Sequence, residues 1–363
     1  MMEVLCGRMV RGLLVCAAVA GVVGLSGCNS SGSGNADNEQ IMLNGAGSSL
    51  VYPAMSRWAS IYGDLHPIVR INYQSIGSGG GVQQVRAGTV DFGASDYPLD
   101  DKQLAAMRPV LQIPETAGPV CITYNLPGLT QPLQLSSEAI AGIFLGKITS
   151  WQDPILKKDN PGVTLPNMKV GVLYRSDGSG TTAALTTYLA AVSEEWKTKV
   201  GKGGAVSWPV GLGGKGSEGV TAQVRQAAGS IGYVELTYAQ QNKLPVASVK
   251  NLAGKYVLPT ASSTTAAIAA FAKELGADPR VPIVNPPASA ETAYPIATLT
   301  FLLVPKDGTD AKKRSALKGF VRYVLGDGQA IAGELNYAPL PDELRQYDQQ
   351  TLDQMTVNGK PIL

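Results

Sequence analysis

Strand-like and helix-like segments alternate along this chain, and the alternation predicts α/β domains with mainly parallel or mixed sheets. Two further observations agree. Four short runs of small polar residues fall at strand-to-helix junctions, where sheets of this kind bind ligands. The 42 glycines and 23 prolines, set against 6% aromatic residues, suit many tight turns between short elements. Hydrophobic residues make up 44% of the chain, enough for packed cores and too many for a disordered polymer.

The first forty residues are expected to be an address and a tether. Arg8 and Arg11 form a basic start, and 13–23 is an apolar stretch too short to span a bilayer comfortably. Leu25-Ser-Gly-Cys28 resembles the lipobox of bacterial lipoproteins, so 1–27 reads as a signal peptide cut before Cys28, whose thiol is then acylated. Residues 28–40 are polar and rich in Gly and Ser, as a flexible tether should be. The remaining chain, about 335 residues, is long enough for two domains. It is expected outside the cytoplasm, lipid-anchored on the periplasmic or outer-surface side of a membrane.

Element by element, 41–43 is strand-like and 53–62 has helical spacing, with Met55, Trp58, Ala59 and Tyr62 on one face. Residues 69–73 alternate as a strand, 82–87 are helical, 90–94 extended and 100–107 helical. Strands follow at 119–124 and 169–174, and helices at 136–144 and 181–192. The alternation continues through 218–228, 230–235, 261–275, 298–304 and 311–324. No internal repeat is visible.

Charge and chemistry-bearing residues exclude several classes. Losing Arg8, Arg11 and Glu3 with the leader brings the net charge of +2 near +1, which does not suit a nucleic-acid binder. Of the four cysteines, Cys6 and Cys16 leave with the signal and Cys28 is lipidated. Cys121 then stands alone in the folded part, in a context that predicts a buried strand residue. The single histidine, His66, sits beside Pro67 before a strand and is expected in a surface loop. No metal-ligand spacing and no Ser-His-Asp set can be assembled, so neither metal, cofactor nor catalytic residues are expected.

The four polar runs are Gly45-Ala-Gly-Ser-Ser-Leu50, Gly77-Ser-Gly-Gly-Gly81, Asp91-Phe-Gly-Ala-Ser-Asp96 and Arg175-Ser-Asp-Gly-Ser-Gly-Thr181. Three precede helical patterns and one ends a strand. A helix N-terminus presents unpaired N–H groups and a partial positive charge to an anion. Glycine permits close approach of the backbone, and Ser or Thr adds hydroxyl donors. Several such termini with one Arg and one Asp suit a small oxyanion that still carries a proton, as phosphate does. Gly211-Leu-Gly-Gly-Lys-Gly-Ser217 looks similar, but position 209 is Pro and the phosphate-loop spacing fails, so a structural loop is expected there.

Taken together, these motifs resemble the phosphate-binding proteins of the bacterial phosphate-specific ABC importer. Further matching stretches are Phe144-Leu-Gly-Lys-Ile-Thr-Ser-Trp151, Trp208-Pro-Val-Gly-Leu-Gly-Gly-Lys-Gly216, Ile231-Gly-Tyr-Val-Glu235 and Tyr337-Ala-Pro-Leu-Pro341. The likeness covers roughly 44–363. It implies a two-lobed, type II periplasmic-binding-protein-like fold, with mixed sheets flanked by helices and two hinge crossings. With crossings placed near 115–118 and 291–294, one lobe would be 41–115 plus 293–363 and the other 116–292. The resemblance also implies a monomer whose partners are inorganic phosphate and the importer's membrane subunits.

Residue roles carried by the resemblance are as follows. Ser49, Ser78, Ser179 and Thr181 would give hydroxyls to phosphate, and Leu50 and Gly180 backbone N–H groups. Arg175 would be the cationic side chain and Asp177 the acid that orients it. Gly79 stands where the family often has a second serine. Asp96 makes sense only as acceptor of a proton carried by the ligand, which would exclude sulfate by repulsion; an N-cap for the helix after Pro98 is the plainer alternative. A phosphatase-like enzyme and a surface adhesin or sensor on the same fold remain as rival functions.

Overall fold

The computed structural model describes residues 40–362. Cys28, the signal peptide and nearly all of the tether lie outside the described residues. Residues 40–362 lie in one compact unit. Among the described residues no helix is long and apolar enough to cross a membrane.

The first third of the unit alternates regularly: β1 (Ile41–Gly47), α1 (Tyr52–Leu65), β2 (Val69–Ser75), α2 (Ser78–Ala87), β3 (Phe92–Ser95) and α3 (Asp101–Ala105). The long β4 (Val110–Tyr124) leads into β5 (Gln134–Leu135), α4 (Ser137–Phe144), α5 (Pro154–Asp159) and β6 (Gly171–Arg175). Then come α6 (Gly180–Val192), α7 (Glu194–Lys199), β7 (Leu212–Gly214), α8 (Gly216–Gln226), β8 (Ser230–Glu235) and α9 (Leu236–Gln241). β9 (Ser248–Lys250), β10 (Tyr256–Val257), α10 (Ala261–Ala269) and α11 (Ala272–Ala277) precede the return strand β11 (Ala297–Pro305). The chain closes with α12 (Ala311–Leu325), α13 (Gly328–Glu334), α14 (Asp342–Leu352), β12 (Thr356–Val357) and β13 (Lys360–Pro361).

Eight strands form one mixed sheet in the order β2-β1-β3-β11-β4-β8-β6-β7, so the expected α/β fold with mixed sheets flanked by helices is the one observed. β1 is parallel to β2 and β3, and β6 is parallel to β7 and β8. The two groups are joined through antiparallel β11 and β4. From Ile113 to Tyr124, β4 is buried at every residue, as a strand covered on both faces should be. Nine of its first ten residues pair with β11 and its last five with β8.

Only the last six residues of β4 were expected from sequence. Pro114, Gly118 and Pro119 disguise the rest, because proline cannot donate to a ladder and is confined to edges and bulges. Pro114 sits at a bulge, where the register slips between Thr300 and Phe301, and Pro119 sits where β4 changes partner from β11 to β8. The bulge leaves Glu115 opposite no β11 residue. Its buried side chain accepts the Thr300 hydroxyl at 3.0 Å, and burial pushes its carboxyl up to about 8.

Most other elements fall where expected, with ends moved by a few residues. The helix expected over 261–275 is two. Phe271 N–H bonds back to Ile268 at 3.0 Å, a tight three-residue return that ends α10. The turn lets Phe271 and Leu275 both pack on the core.

Trp58, Trp151 and Trp196 are fully buried, and each gives its indole N–H to a backbone carbonyl at 2.7–2.9 Å, so large apolar area is buried without stranding a donor. Cys121 is buried in β4, and burial pushes its thiol well up. His66 is exposed at the end of α1, against the Tyr62 ring. Gly81 lies against β1: a Cβ there would come within 2.5 Å of Gly47 Cα. That close approach sets α2 tightly over the ends of β1 and β3.

Candidate functional site

Strand direction creates the site. β1 and β3 run one way and β6 runs the opposite way, and they reach β4 through different partners and different stretches of it. Their C-terminal ends therefore face each other across the middle of the sheet. The polar runs lie on these ends: Ser48–Leu50 after β1, Asp96 after β3, and Arg175 closing β6. Gly77 and Ser78 open α2, and Ser179 and Gly180 open α6.

Ser49, Leu50, Ser78, Asp96, Arg175, Ser179, Gly180 and Thr181 are all buried. Ser78 is the meeting point. Its hydroxyl oxygen accepts the N–H of Asp96 and the N–H of Gly180, both at 3.2 Å, and donates to Asp96 Oδ2 at 3.3 Å. Gly180 tolerates no side chain, since a Cβ would come within 2.3 Å of Asp96 Cβ. Gly79 donates its N–H to the Gly178 carbonyl at 3.0 Å, and a Cβ on Gly79 would stand 3.1 Å from Gly178 Cα. A serine at Gly79 would thus have to displace the opposing backbone by a few tenths of an ångström.

Arg175 is held by its neighbours. Its Nε donates to Asp177 Oδ1 at 2.8 Å and its Nη2 to Asp177 Oδ2 at 2.5 Å, the two-pronged pairing that fixes a guanidinium plane. Nη1 reaches the Ser217 hydroxyl at 3.3 Å. Asp177 Oδ1 also accepts Gly216 N–H at 3.0 Å. Burial works against the Asp177 charge, but the Arg175 bonds and charge outweigh it and hold the carboxyl below its usual range. Behind the arginine, Arg175 N–H donates to the Tyr233 hydroxyl at 3.0 Å. Tyr233 in turn stacks on Trp208.

Ser179 is the N-cap of α6, accepting Thr182 N–H at 3.1 Å. The Thr181 hydroxyl is buried with no hydrogen-bond partner among the described residues, a costly state for a donor unless something else engages it. Asp96 is 2% exposed, and it is not a helix cap, because Asp100 caps α3 with Gln103 completing a capping box. Burial pushes its carboxyl up to about 6, while bonds from Ser48 and Ser78 and the charge of Arg175 pull the other way.

Two members of this cluster were not anticipated. The Gly211–Ser217 stretch, expected as a structural loop, forms strand β7 and then opens α8 with Ser217 inside the site. Ser217 N–H donates to the Ser49 hydroxyl at 3.2 Å and the two hydroxyls lie 2.9 Å apart. Its sequence signal is a serine at a Gly-rich helix start, the same as at Ser78. Ser48, next to Ser49, donates its hydroxyl to Asp96 Oδ1.

A mixed two-ended sheet with a buried cluster of donors, an arginine and an acid between its facing strand ends defines a solute-binding architecture, and residues 29–328 match the family profile of the PBP superfamily domain. Within that superfamily the chain belongs to the family of phosphate-binding proteins named PstS. It is 44% identical over 307 residues to the Phosphate-binding protein PstS of Xylella fastidiosa (strain Temecula1 / ATCC 700964), covering 84% of this chain and 83% of that one. It is 45% identical over 305 residues to the Phosphate-binding protein PstS of Pasteurella multocida (strain Pm70), covering 84% and 88%. In fold it resembles the crystal structure of a phosphate binding protein from Stenotrophomonas maltophilia, with a TM-score of 0.64 and 20% identity over 88% of this chain and 97% of that one.

Proposed function

We propose that this chain is an extracytoplasmic solute-binding lipoprotein that captures one inorganic phosphate between two lobes and delivers it to the membrane subunits of an ABC importer. One observation carries the reading: the buried Asp96 carboxyl stands among hydroxyl and N–H donors and close to Arg175. A carboxylate repels an anion unless the anion brings a proton for it to accept. Phosphate near neutral pH retains at least one; sulfate retains none.

In this reading Ser49, Ser78, Ser179 and Thr181 turn their hydroxyls to the ligand, and Leu50 and Gly180 give backbone N–H groups. Arg175 supplies the positive charge, and Asp177 holds its plane while keeping the local charge balanced enough for release. The unpartnered Thr181 hydroxyl supports its role as a ligand donor. The names of the curated relatives support phosphate as the solute. They also favour a transport role over a phosphatase, which turnover of a generic phosphomonoester would reveal.

The lobes are taken as 41–115 plus 293–363 and 116–292. This division puts Ser49, Ser78 and Asp96 on one lobe and Arg175 to Thr181 on the other. One crossing then falls at the Glu115 bulge of β4 and the other just before β11. Acylated Cys28 would hold the monomer at the membrane surface.

Asp96→Asn tests the specificity claim. The amide is nearly isosteric and uncharged, so it removes the repulsion toward an unprotonated anion. Sulfate affinity is expected to rise at least tenfold, about 1.4 kcal/mol, while phosphate affinity changes less. Titration of both anions at one pH and salt measures it, and an unchanged phosphate-to-sulfate ratio would remove Asp96 as the reader of the ligand's proton.

A further inference from the structure

The two oxygens of Asp96 have different partners, and one of those partners has no other task in the phosphate reading. Oδ2 accepts from Ser78, whose hydroxyl is expected to swing to the ligand. Oδ1 accepts from Ser48. Ser48 is fixed by its own backbone: its N–H donates to Ala94 O at 2.9 Å and its carbonyl accepts the Tyr73 hydroxyl at 2.9 Å. Its side-chain oxygen accepts Val51 N–H at 3.3 Å, at the start of α1. With that lone pair engaged, the Ser48 proton is directed at Asp96. All these ties come from β1, β2 and β3 and the start of α1, so they need nothing from the facing half of the site.

We propose that Ser48 is a positioning residue for anion selection: its hydroxyl occupies Oδ1 of Asp96, so that Oδ2 alone meets the ligand, as an ionised acceptor. The inference rests on the phosphate reading above and adds a residue to it. A hydrogen bond to the charged form of a buried carboxyl favours that form. Without Ser48, Asp96 would take up a proton at higher pH, become a donor, and accept sulfate in place of excluding it.

The other groups around Asp96 do not confuse the measurement. Arg175 stays charged and Asp177 is held below its usual range. Glu115 is pushed up to about 8 and is neutral below that. Tyr73, Tyr97 and Tyr337 are all raised from an already high value.

The experiment is sulfate titration of the purified chain as a function of pH, at fixed ionic strength, between roughly pH 4.5 and 7.5, a range bracketing the Asp96 value of about 6. Sulfate is the cleaner probe because it carries no proton across this window. For the wild type, sulfate affinity is expected to grow as pH falls through about 6. In Ser48→Ala the midpoint should move up by about one pH unit, a size in keeping with one lost charge-assisted bond. Ser48→Cys, which fills the space with a weaker donor, should move it the same way, and Ser48→Thr, which keeps the hydroxyl, should not. In an Asp96→Asn background, Ser48→Ala should move nothing. Equal midpoints in wild type and both hydroxyl-deleting variants would overturn the proposal, as would a shift that persists in the Asp96→Asn background. Failure of the wild type to bind phosphate at neutral pH would instead overturn the phosphate reading itself.

Discussion

Gly180→Ala is expected to abolish tight phosphate binding while leaving the chain folded. A Cβ at this position would stand 2.3 Å from Asp96 Cβ and 2.7 Å from Asp96 Oδ2, far inside contact distance. Asp96 cannot retreat easily, because its backbone N–H, its Oδ1 and its carbonyl are held by Ser78, Ser48 and Thr298. The strain is relieved by separating the two halves of the site, which also withdraws the Gly180 N–H from where an anion would sit. The residue opens a helix, where alanine is at least as favourable as glycine, so the ligand-free chain should melt within about 1 kcal/mol of the wild type. An affinity loss above about a hundredfold, roughly 2.7 kcal/mol, is expected in calorimetric titration. Wild-type affinity in this variant would mean that the halves do not close on the ligand as the facing strands suggest.

Arg175→Ala should lower phosphate affinity by about two to three decades, or roughly 3–4 kcal/mol. The loss has two sources. A charge-assisted bond to the ligand disappears, at about 1.5–3 kcal/mol. Asp177 is then left without its cation beside an anion, although Gly216 N–H still reaches it. The second source can be removed separately: in Arg175→Ala/Asp177→Ala about one decade should return. Strict additivity across that cycle would show that Arg175 and Asp177 do not act as a unit.

What could be foreseen from sequence is what local chemistry controls. Gly77-Ser78 and Ser179-Gly180 announce helix starts through residues that satisfy or expose N–H groups within one turn. The Arg175–Asp177 pair is two residues apart and needs no fold to be guessed. β1, β2, β6, β8 and β11 show as short apolar runs bounded by turn residues. The misses are of a different kind. Ser217 meets Ser49 across 168 residues of chain, and nothing in its own neighbourhood separates it from a plain Gly-rich loop. Ser48 differs from Ser49 only in which way one residue of backbone turns its side chain. β4 was obscured because Pro114 and Pro119 usually argue against a central strand. They are tolerated here at a bulge and at a change of partner, both of which exist only in the assembled sheet. That same assembly isolates Glu115 and drives its carboxyl up to about 8, a feature with no trace in the surrounding sequence.

The central claim is that a buried carboxyl among anion donors selects an oxyanion that carries a proton. The most direct measurement is calorimetric titration of the wild-type chain with phosphate and with sulfate, at neutral pH and one ionic strength. Binding of one phosphate per chain is predicted, with sulfate weaker by more than one decade, about 1.4 kcal/mol. Sulfate binding within one decade of phosphate, or no binding of phosphate at all, would contradict it.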